Sequence, residues 1–284
     1  MRYFFQLGKS GASICFLELC IFESCCHYLT NQFTMPFTFS HPAIVLPIAK
    51  HSGRYLSLTG LIIGSMTPDF EYFFRMKIQS NFSHTIGGLF YFDLPVGILL
   101  SFLFHNFIRN MLYDNLPNTF RSRLEGFKTF DWNEYLKRHY FVVIISILIG
   151  AMSHLFWDSF THIHGYSVQT FLILQRTFNL AGNQIPIYKL LQHLSSLLGG
   201  FFIVLAFFSL PKSTHILKAI NLKYWFTVLI ITMALISLKL IFGIDKSFFG
   251  QIFITSVDAI FVALIFTPTL MRQKARRKNT ANVH

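Results

Sequence analysis

Apolar and polar positions alternate along the chain as long hydrophobic runs separated by short polar breaks, without a polar linker between about residues 57 and 270. A helix that crosses a bilayer needs roughly 20 mostly apolar residues. Five runs reach that length: 86–107, 140–159, 193–211, 224–243 and 248–270. Two earlier pieces, 41–52 and 56–67, are too short to cross. Backbone at membrane depth must have its polar groups satisfied, so these two are expected to be interfacial or re-entrant helices buried against protein. The predicted fold is all-α, a polytopic helical membrane protein with about five spanning helices plus two short ones. It forms one domain over 35–271, followed by a basic tail at 272–284. Internal repeats and low-complexity tracts are absent.

Composition agrees with this pattern, since 53% of residues are hydrophobic and 13% charged, whereas a soluble domain carries about 25% charged residues. The net charge of +12 admits nucleic acid, an acidic membrane surface or topogenic loops as its explanation. Position decides among them. Lys and Arg sit in the connections between apolar runs and in the tail Arg272 to Lys278, which argues for topogenic loops and against nucleic-acid binding. With the tail cytoplasmic, fourteen Lys and Arg fall on that side. Six, Arg54, Arg75, Lys77, Arg176, Lys189 and Lys246, fall on the other. This bias places segments 53–85 and 160–192 on the outer face.

The N-terminal stretch stands apart. Cys15, Cys20, Cys25 and Cys26 are the only cysteines, so neither a disulfide framework nor a Cys-type zinc site organises the membrane domain. Arg2 and Lys9 precede a short apolar run, but Glu18 and Glu23 interrupt it and no clean cleavage site follows, unlike a signal peptide. Met35 opens Pro-Phe-Thr-Phe-Ser-His41-Pro, where ordered structure is expected to begin. Residues 1–34 are expected to be a poorly ordered extension, upstream of the start of the functional chain.

Ionisable residues supply the candidate chemistry. Asp69 and His84 bracket the outward segment before the first span, His154 and Asp158 lie at the outward end of the second, His162 follows, and His193 opens the third. Such groups at membrane depth are costly and mark function by default. The spacing of four from His154 to Asp158 and again to His162 stacks these side chains along one helical stripe. Imidazole nitrogen and carboxylate oxygen suit zinc and neighbouring divalent metals. Taken singly, each residue has a plainer explanation: a His–Asp pair satisfying itself in lipid, or Asp69 capping the turn beside Pro68. Explaining Asp69, His84, His154, Asp158 and His193 separately requires five coincidences of depth. Glu71 is the candidate general base or extra ligand, its alternative being a solvated loop charge. Asp93 is expected to orient a ligand such as His84 or His193 from behind. His105 and His139 fit structural roles in apolar helices, as does His215, and Asp258 has no evident partner.

There is no Walker loop, dinucleotide fingerprint, nucleophile elbow or His-Glu-x-x-His. From Met35 onward the chain resembles the domain of unknown function 4184 family of bacterial membrane proteins. The resemblance is carried by Met35 to Pro42, Pro68 to Tyr72, His84, Phe92 to Pro95, Ser153 to His162 and Leu191 to Ser195. More distantly, the order of His and Asp residues is similar to zinc-dependent phospholipase C and membrane-bound metal-dependent hydrolases. That resemblance implies a site made by Asp69, His84, His154 and Asp158, with His41, His162 and His193 as further ligands. Leu197 stands where a second His-x-x-x-Glu pair would end, so one or two ions, zinc foremost, are implied rather than three. The expected function is a membrane-embedded metal-dependent hydrolase of the bacterial cytoplasmic membrane. Its substrate would be an ester or phosphoester of a lipid or lipid-linked molecule, with Glu71 and Asp158 as catalytic candidates. The alternative is a non-catalytic transporter or accessory protein whose cluster relays protons or holds a structural ion.

Overall fold

The computed structural model describes residues 38–49, 55–76, 79–180, 182–213, 219–243 and 248–281, which are almost wholly helical. A 3-10 turn, Thr38–Ser40, leads into the short helices α1 (Pro42–Ala49), α2 (Leu58–Gly64) and α3 (Phe70–Arg75). Helix α4, Leu89–Asn115, runs through two π-helical turns, Leu89–Asp93 and Phe104–Ile108. There follow α5 (Asn118–Leu124), α6 (Trp132–Thr161) and α7 (Tyr166–Thr170). An antiparallel hairpin of β1 (Thr177–Leu180) and β2 (Asn183–Pro186) leads to α8 (Ile187–Phe208), α9 (Leu222–Ile241) and α10 (Phe248–Ala281). Five helical stretches are long and apolar enough to cross a membrane: Leu89–Asn115, Trp132–Thr170, Ile187–Phe208, Leu222–Ile241 and Gln251–Gln273. The two short apolar pieces form α1 and α2, and the expectation for residues 1–34 falls outside the described residues.

Several boundaries differ from the hydropathy pattern, for local reasons. Helix α6 begins at Trp132, not 140, because the Asp131 side chain accepts from the Glu134 N–H and caps a charged first turn. The apolar part follows a kink at His139, where φ is −128° and ψ is 32°. Between α7 and α8 the chain forms a hairpin that alternation did not announce. Gly182 takes φ of 86° and its N–H donates to Asn179 Oδ1 at 2.9 Å, which closes the turn.

Small residues set the packing that matters for the site. Helix α2 lies on α6, where a Cβ on Gly64 would collide with the Ile147 backbone and one on Gly150 with the Leu61 carbonyl. The Ser57 N–H donates to Ser146 Oγ at 2.8 Å and fixes the register. The 3-10 turn Thr67–Asp69, started by Pro68, is thereby held against α6 near His154. Gly97 of α4 meets Ile147, and Gly199 of α8 meets Ser40 and Ala43, which seats the start of α1. Polarity is inverted relative to a soluble protein. Met152, Phe156, Leu197, Phe226 and Ile230 are exposed on the helices, while His41, Asp93 and His154 are 0% exposed.

Further along α4, His105 has a structural setting. Its Nδ1 accepts from Arg109 Nη1 at 2.9 Å, leaving Nε2 to donate to Thr59 Oγ1 at 3.0 Å, and its ring stacks on Trp132 at 4.7 Å. His139 stacks on Tyr135, and His215 lies outside the described residues.

Candidate metal centre

Four side chains from separate parts of the chain meet at one point. Asp69 comes from the 3-10 turn, His84 from the connection before α4, and His154 and Asp158 from successive turns of α6. One donor atom from each lies within 4.8 Å of the others. Asp69 Oδ1 is 3.5 Å from His84 Nε2 and 3.5 Å from His154 Nε2. Asp158 Oδ2 is 3.5 Å from His84 Nε2 and 3.2 Å from His154 Nε2. Neither His154 Nε2 nor either oxygen of Asp69 makes a hydrogen bond. A tetrahedral ion with bonds of about 2.0–2.1 Å has ligand-to-ligand edges of about 3.3–3.4 Å, and these four separations are close to that length.

Partners on the far side of each ring decide where the lone pairs point. His154 Nδ1 lies 2.8 Å from the Ser65 carbonyl oxygen, which can only accept, so Nδ1 carries the proton. In the neutral imidazole, Nε2 then faces two carboxylates with a bare lone pair. His84 Nδ1 lies 2.9 Å from Ser80 Oγ, and that hydroxyl donates to Glu71 Oε2 at 3.1 Å. Nδ1–H therefore donates to Ser80, and His84 Nε2 also points at the carboxylates. Second partners of this type fix tautomer and ring orientation in metal sites. Burial alone favours neutral His84, but Asp158 and Asp69 outweigh it and hold the ring up at about 9. Burial likewise pushes Asp69 upward, and His154 and His84 more than offset that, keeping it well below the usual carboxylate range. Both shifts express a demand for positive charge between the rings and the carboxylates.

Glu71 is placed differently from the free carboxylate that the sequence suggested. It is 2% exposed and accepts from the backbone N–H groups of Asn81, Phe82 and Ser83, from Ser80 Oγ and from Arg75 Nε. Burial raises its pKa, but these donors prevail and bring it to about 2. Its oxygens are occupied in shaping the 80–84 loop, so it positions His84. Asp93 is buried beside the cluster, within electrostatic range of His84 and His154, and neither oxygen has a hydrogen-bond partner.

The remaining candidates divide. His41 joins the rim: its ring stacks on His154 at 3.9 Å, and its Nε2 is 3.8 Å from Asp158 Oδ1. Burial, then the adjacent His154, lowers it to about 3, so it is a neutral imidazole. His162 joins from the end of α6, with Nδ1 at 3.5 Å from Asp158 Oδ1. His193 does not join. The helix that carries it starts at Ile187, its buried stripe passes through Gln192 and Gly199, and His193 is exposed about 100° away from Gln192. Asp258 is buried in α10 and its Oδ2 finds no partner, for which the structure offers no explanation. Sequence reasoning passed over Tyr72, whose ring lies 5.5 Å from that of His84. Burial, with Asp69 and Asp158 nearby, pushes its phenol upward, so the O–H stays protonated. It also passed over Ser65, Ser80 and Ser83, and only their closeness to Asp69 and His84 in the chain could have singled them out.

A family described as a domain of unknown function (DUF4184) covers residues 35–269. No curated protein and no solved structure matches the chain.

Proposed function

The chain belongs to the DUF4184 family, whose description carries no activity, and we propose from the site itself that it is a membrane-embedded, divalent-cation-dependent hydrolase. Its substrate is an ester or phosphoester of a lipid or lipid-linked molecule. The observation that carries this reading is the buried Nε2 of His154, which has no hydrogen-bond partner. It is aimed at two carboxylates 3.2 and 3.5 Å away and hydrogen-bonded to neither. Asp69, His84, His154 and Asp158 would hold the cation, and two imidazoles with two carboxylates suit zinc first. When bound, such a cation lowers the pKa of a coordinated water toward neutrality and polarises an ester oxygen. Asp158 Oδ1 faces His41 and His162 and accepts no hydrogen bond, and it would take a proton from an attacking water. Tyr72, whose ring lies 5.5 Å from that of His84, would donate its protonated O–H to a substrate oxygen.

A lipid substrate is supported by the apolar surroundings. Phe82, Ile86, Phe90 and Tyr91 are exposed next to His84 in sequence, and Tyr166, Phe171 and Leu172 follow α6 at its site end. The Lys and Arg bias supports a cytoplasmic C-terminus, with the cluster at the outer face of a bacterial cytoplasmic membrane. A second reading is favoured by the donor count, because four protein ligands complete a tetrahedral shell of the type that structural ions occupy. On that reading the protein is a non-catalytic transporter or accessory factor.

Metal analysis of detergent-purified protein, run beside ester and phosphodiester hydrolysis assays, separates the readings. At least one ion per chain and measurable hydrolysis are expected, and both should vanish in the His154→Ala plus Asp158→Ala variant. Substoichiometric metal in the wild type, or unchanged metal in the variant, would sink the metal centre. A tightly held ion with no turnover of any ester would favour the structural reading.

A further inference from the structure

At the start of α6, the end remote from His154 and Asp158, the chain encloses a polar cavity. We propose that this cavity binds the headgroup of a zwitterionic membrane phospholipid, with its phosphate on Arg109 and its ammonium against Asp131. The inference is independent of the metal centre.

The cavity has a volume of about 340 Å³ and is lined by His105, Asn106, Arg109 and Asn110 of α4 and by residues 128–133, which lead into α6. That is within the size range of small-ligand sites, about 300–1,000 Å³, but those are lined mostly by apolar side chains. Here Phe130 and Trp132 are the only apolar or aromatic residues of the lining apart from His105. Reciprocal amide bonds of 2.8 and 3.2 Å between Asn106 and Asn133 tie α4 to α6 at the cavity.

Arg109 is 6% exposed. Its Nη1 donates to His105 Nδ1 at 2.9 Å and to the Phe130 carbonyl at 2.8 Å, its Nη2 to the Lys128 carbonyl at 3.3 Å, and its Nε to Asn110 Oδ1 at 2.9 Å. All four acceptors are neutral, and among the described residues no carboxylate pairs with this guanidinium. A buried charge without a counter-charge is costly. Arginine has five N–H groups, so one of Nη2 stays available, and charge-assisted bonds to phosphate oxygens are among the strong ones. Trp132 supplies a second orphan donor. It is 2% exposed and stacked on His105, and its Nε1–H has no acceptor.

The rim has the opposite sign. Asp131 is exposed, its Oδ1 accepts the Glu134 N–H at 3.0 Å, and it forms no ion pair among the described residues. Lys128 does not neutralise it, because its Nζ is held by Asp114 at 2.7 Å and Glu125 at 3.1 Å. Arg109 and Asp131 thus share one cavity without pairing to each other, which suits a ligand bearing both charges. The surroundings point to a lipid as its source. Toward the middle of α4, the outer face passes from Asn110 and half-buried Asn106 to Phe102 and Leu99, 42% and 48% exposed. These lie in the stretch long and apolar enough to cross a membrane, so surface for acyl chains begins where the polar lining ends. Basic pockets between spanning helices are a recurrent seat for lipid headgroups.

Native mass spectrometry of the full chain, delipidated in dodecyl maltoside, tests this with phosphatidylethanolamine, phosphatidylglycerol and free phosphoethanolamine as probes. Phosphatidylethanolamine should bind at least about tenfold more tightly than either of the others. Asp131→Asn keeps the α6 cap, since Asn caps as well as Asp, and should erase the preference over phosphatidylglycerol. Asn110→Asp keeps the acceptor for Arg109 Nε but sets a carboxylate beside the guanidinium, and should weaken both lipids at least about tenfold. Thr129→Trp, on the exposed rim, should block both. Lipid binding that is equal in wild type, Asn110→Asp and Thr129→Trp overturns the site. Equal affinity for the two lipids in the wild type, or a preference that survives Asp131→Asn, overturns the ammonium position. Phosphoethanolamine bound as tightly as the lipid overturns the lipid source in favour of a soluble ligand.

Discussion

Among single residues, Glu71 shows how burial makes a loop carboxylate a support of the candidate metal centre without joining its four donors. Its oxygens collect three backbone N–H groups from 81–83 and the Ser80 hydroxyl, and Ser80 Oγ in turn accepts a hydrogen bond from His84 Nδ1–H. Glu71→Gln keeps the shape but offers one acceptor oxygen in place of two, so the loop should loosen and His84 should lose its fixed orientation. Removing such outer support typically weakens metal affinity ten- to a hundredfold. Competition titration with a zinc chelator should show a loss in that range, and an unchanged affinity would mean that Glu71 does not position His84. The sequence disclosed part of this. The four-residue spacing of His154 and Asp158 is a local property of a helix, and the structure keeps this pair on one stripe, whereas the helix stops at Thr161 and His162 is its extended C-cap residue. The role of Glu71 depends on where residues 80–84 return in space, which spacing does not encode. His193 was misplaced for a related reason. Its helix begins one and a half turns earlier than hydropathy suggests, and the inward stripe then runs through its neighbours.

Among elements, the contact of α2 with α6 carries the site, because the turn with Asp69 and the Ser65 carbonyl that orients His154 both follow α2 directly. Gly64 sits where a Cβ would meet the Ile147 backbone, which cannot retreat as a flexible side chain could. Gly64→Ala should therefore destabilise by about 1–3 kcal/mol, the usual cost of overpacking. It should also weaken zinc binding by moving Ser65. Gly200→Ala is the control: nothing lies within 4 Å of its position, and helix propensity favours Ala by up to about 1 kcal/mol. Thermal unfolding in detergent should show a lower midpoint for Gly64→Ala and an equal or higher one for Gly200→Ala. Equal midpoints for both would mean that the helix contact does not limit stability. Hydropathy revealed the five long helices because a lipid-facing helix needs apolar residues on every side. It missed the first two turns of α6 and the 177–186 hairpin, where polar composition gives no period to follow. The packing of α2 on α6 was hidden as well, since an isolated Gly in an apolar run does not say which helix approaches it.

At the scale of the whole molecule, a crossing α6 has its two ends on opposite sides of the membrane, and the Lys and Arg bias favours the outer side for the cluster end. The end at Thr161 carries the cluster, and the start at Trp132 adjoins a basic region of Arg109, Arg121, Arg123 and Lys128, neutralised only in part by Asp114 and Glu125. The 177–186 hairpin lies beyond the cluster end and Gly126 before the basic end, and both Leu180 and Gly126 are exposed. With Cys15, Cys20, Cys25 and Cys26 replaced by Ser, single cysteines introduced as Leu180→Cys and Gly126→Cys report each side separately. A membrane-impermeant maleimide should modify Leu180→Cys in intact cells and Gly126→Cys only after permeabilisation. Modification of both in intact cells would mean that α6 does not cross. The reverse pattern would place the cluster on the cytoplasmic side and its substrate among cytoplasmic or inner-leaflet molecules. The expected pattern leaves the candidate cation centre on the outer side, where growth-medium chelators that cannot enter cells should strip it of a bound ion in place.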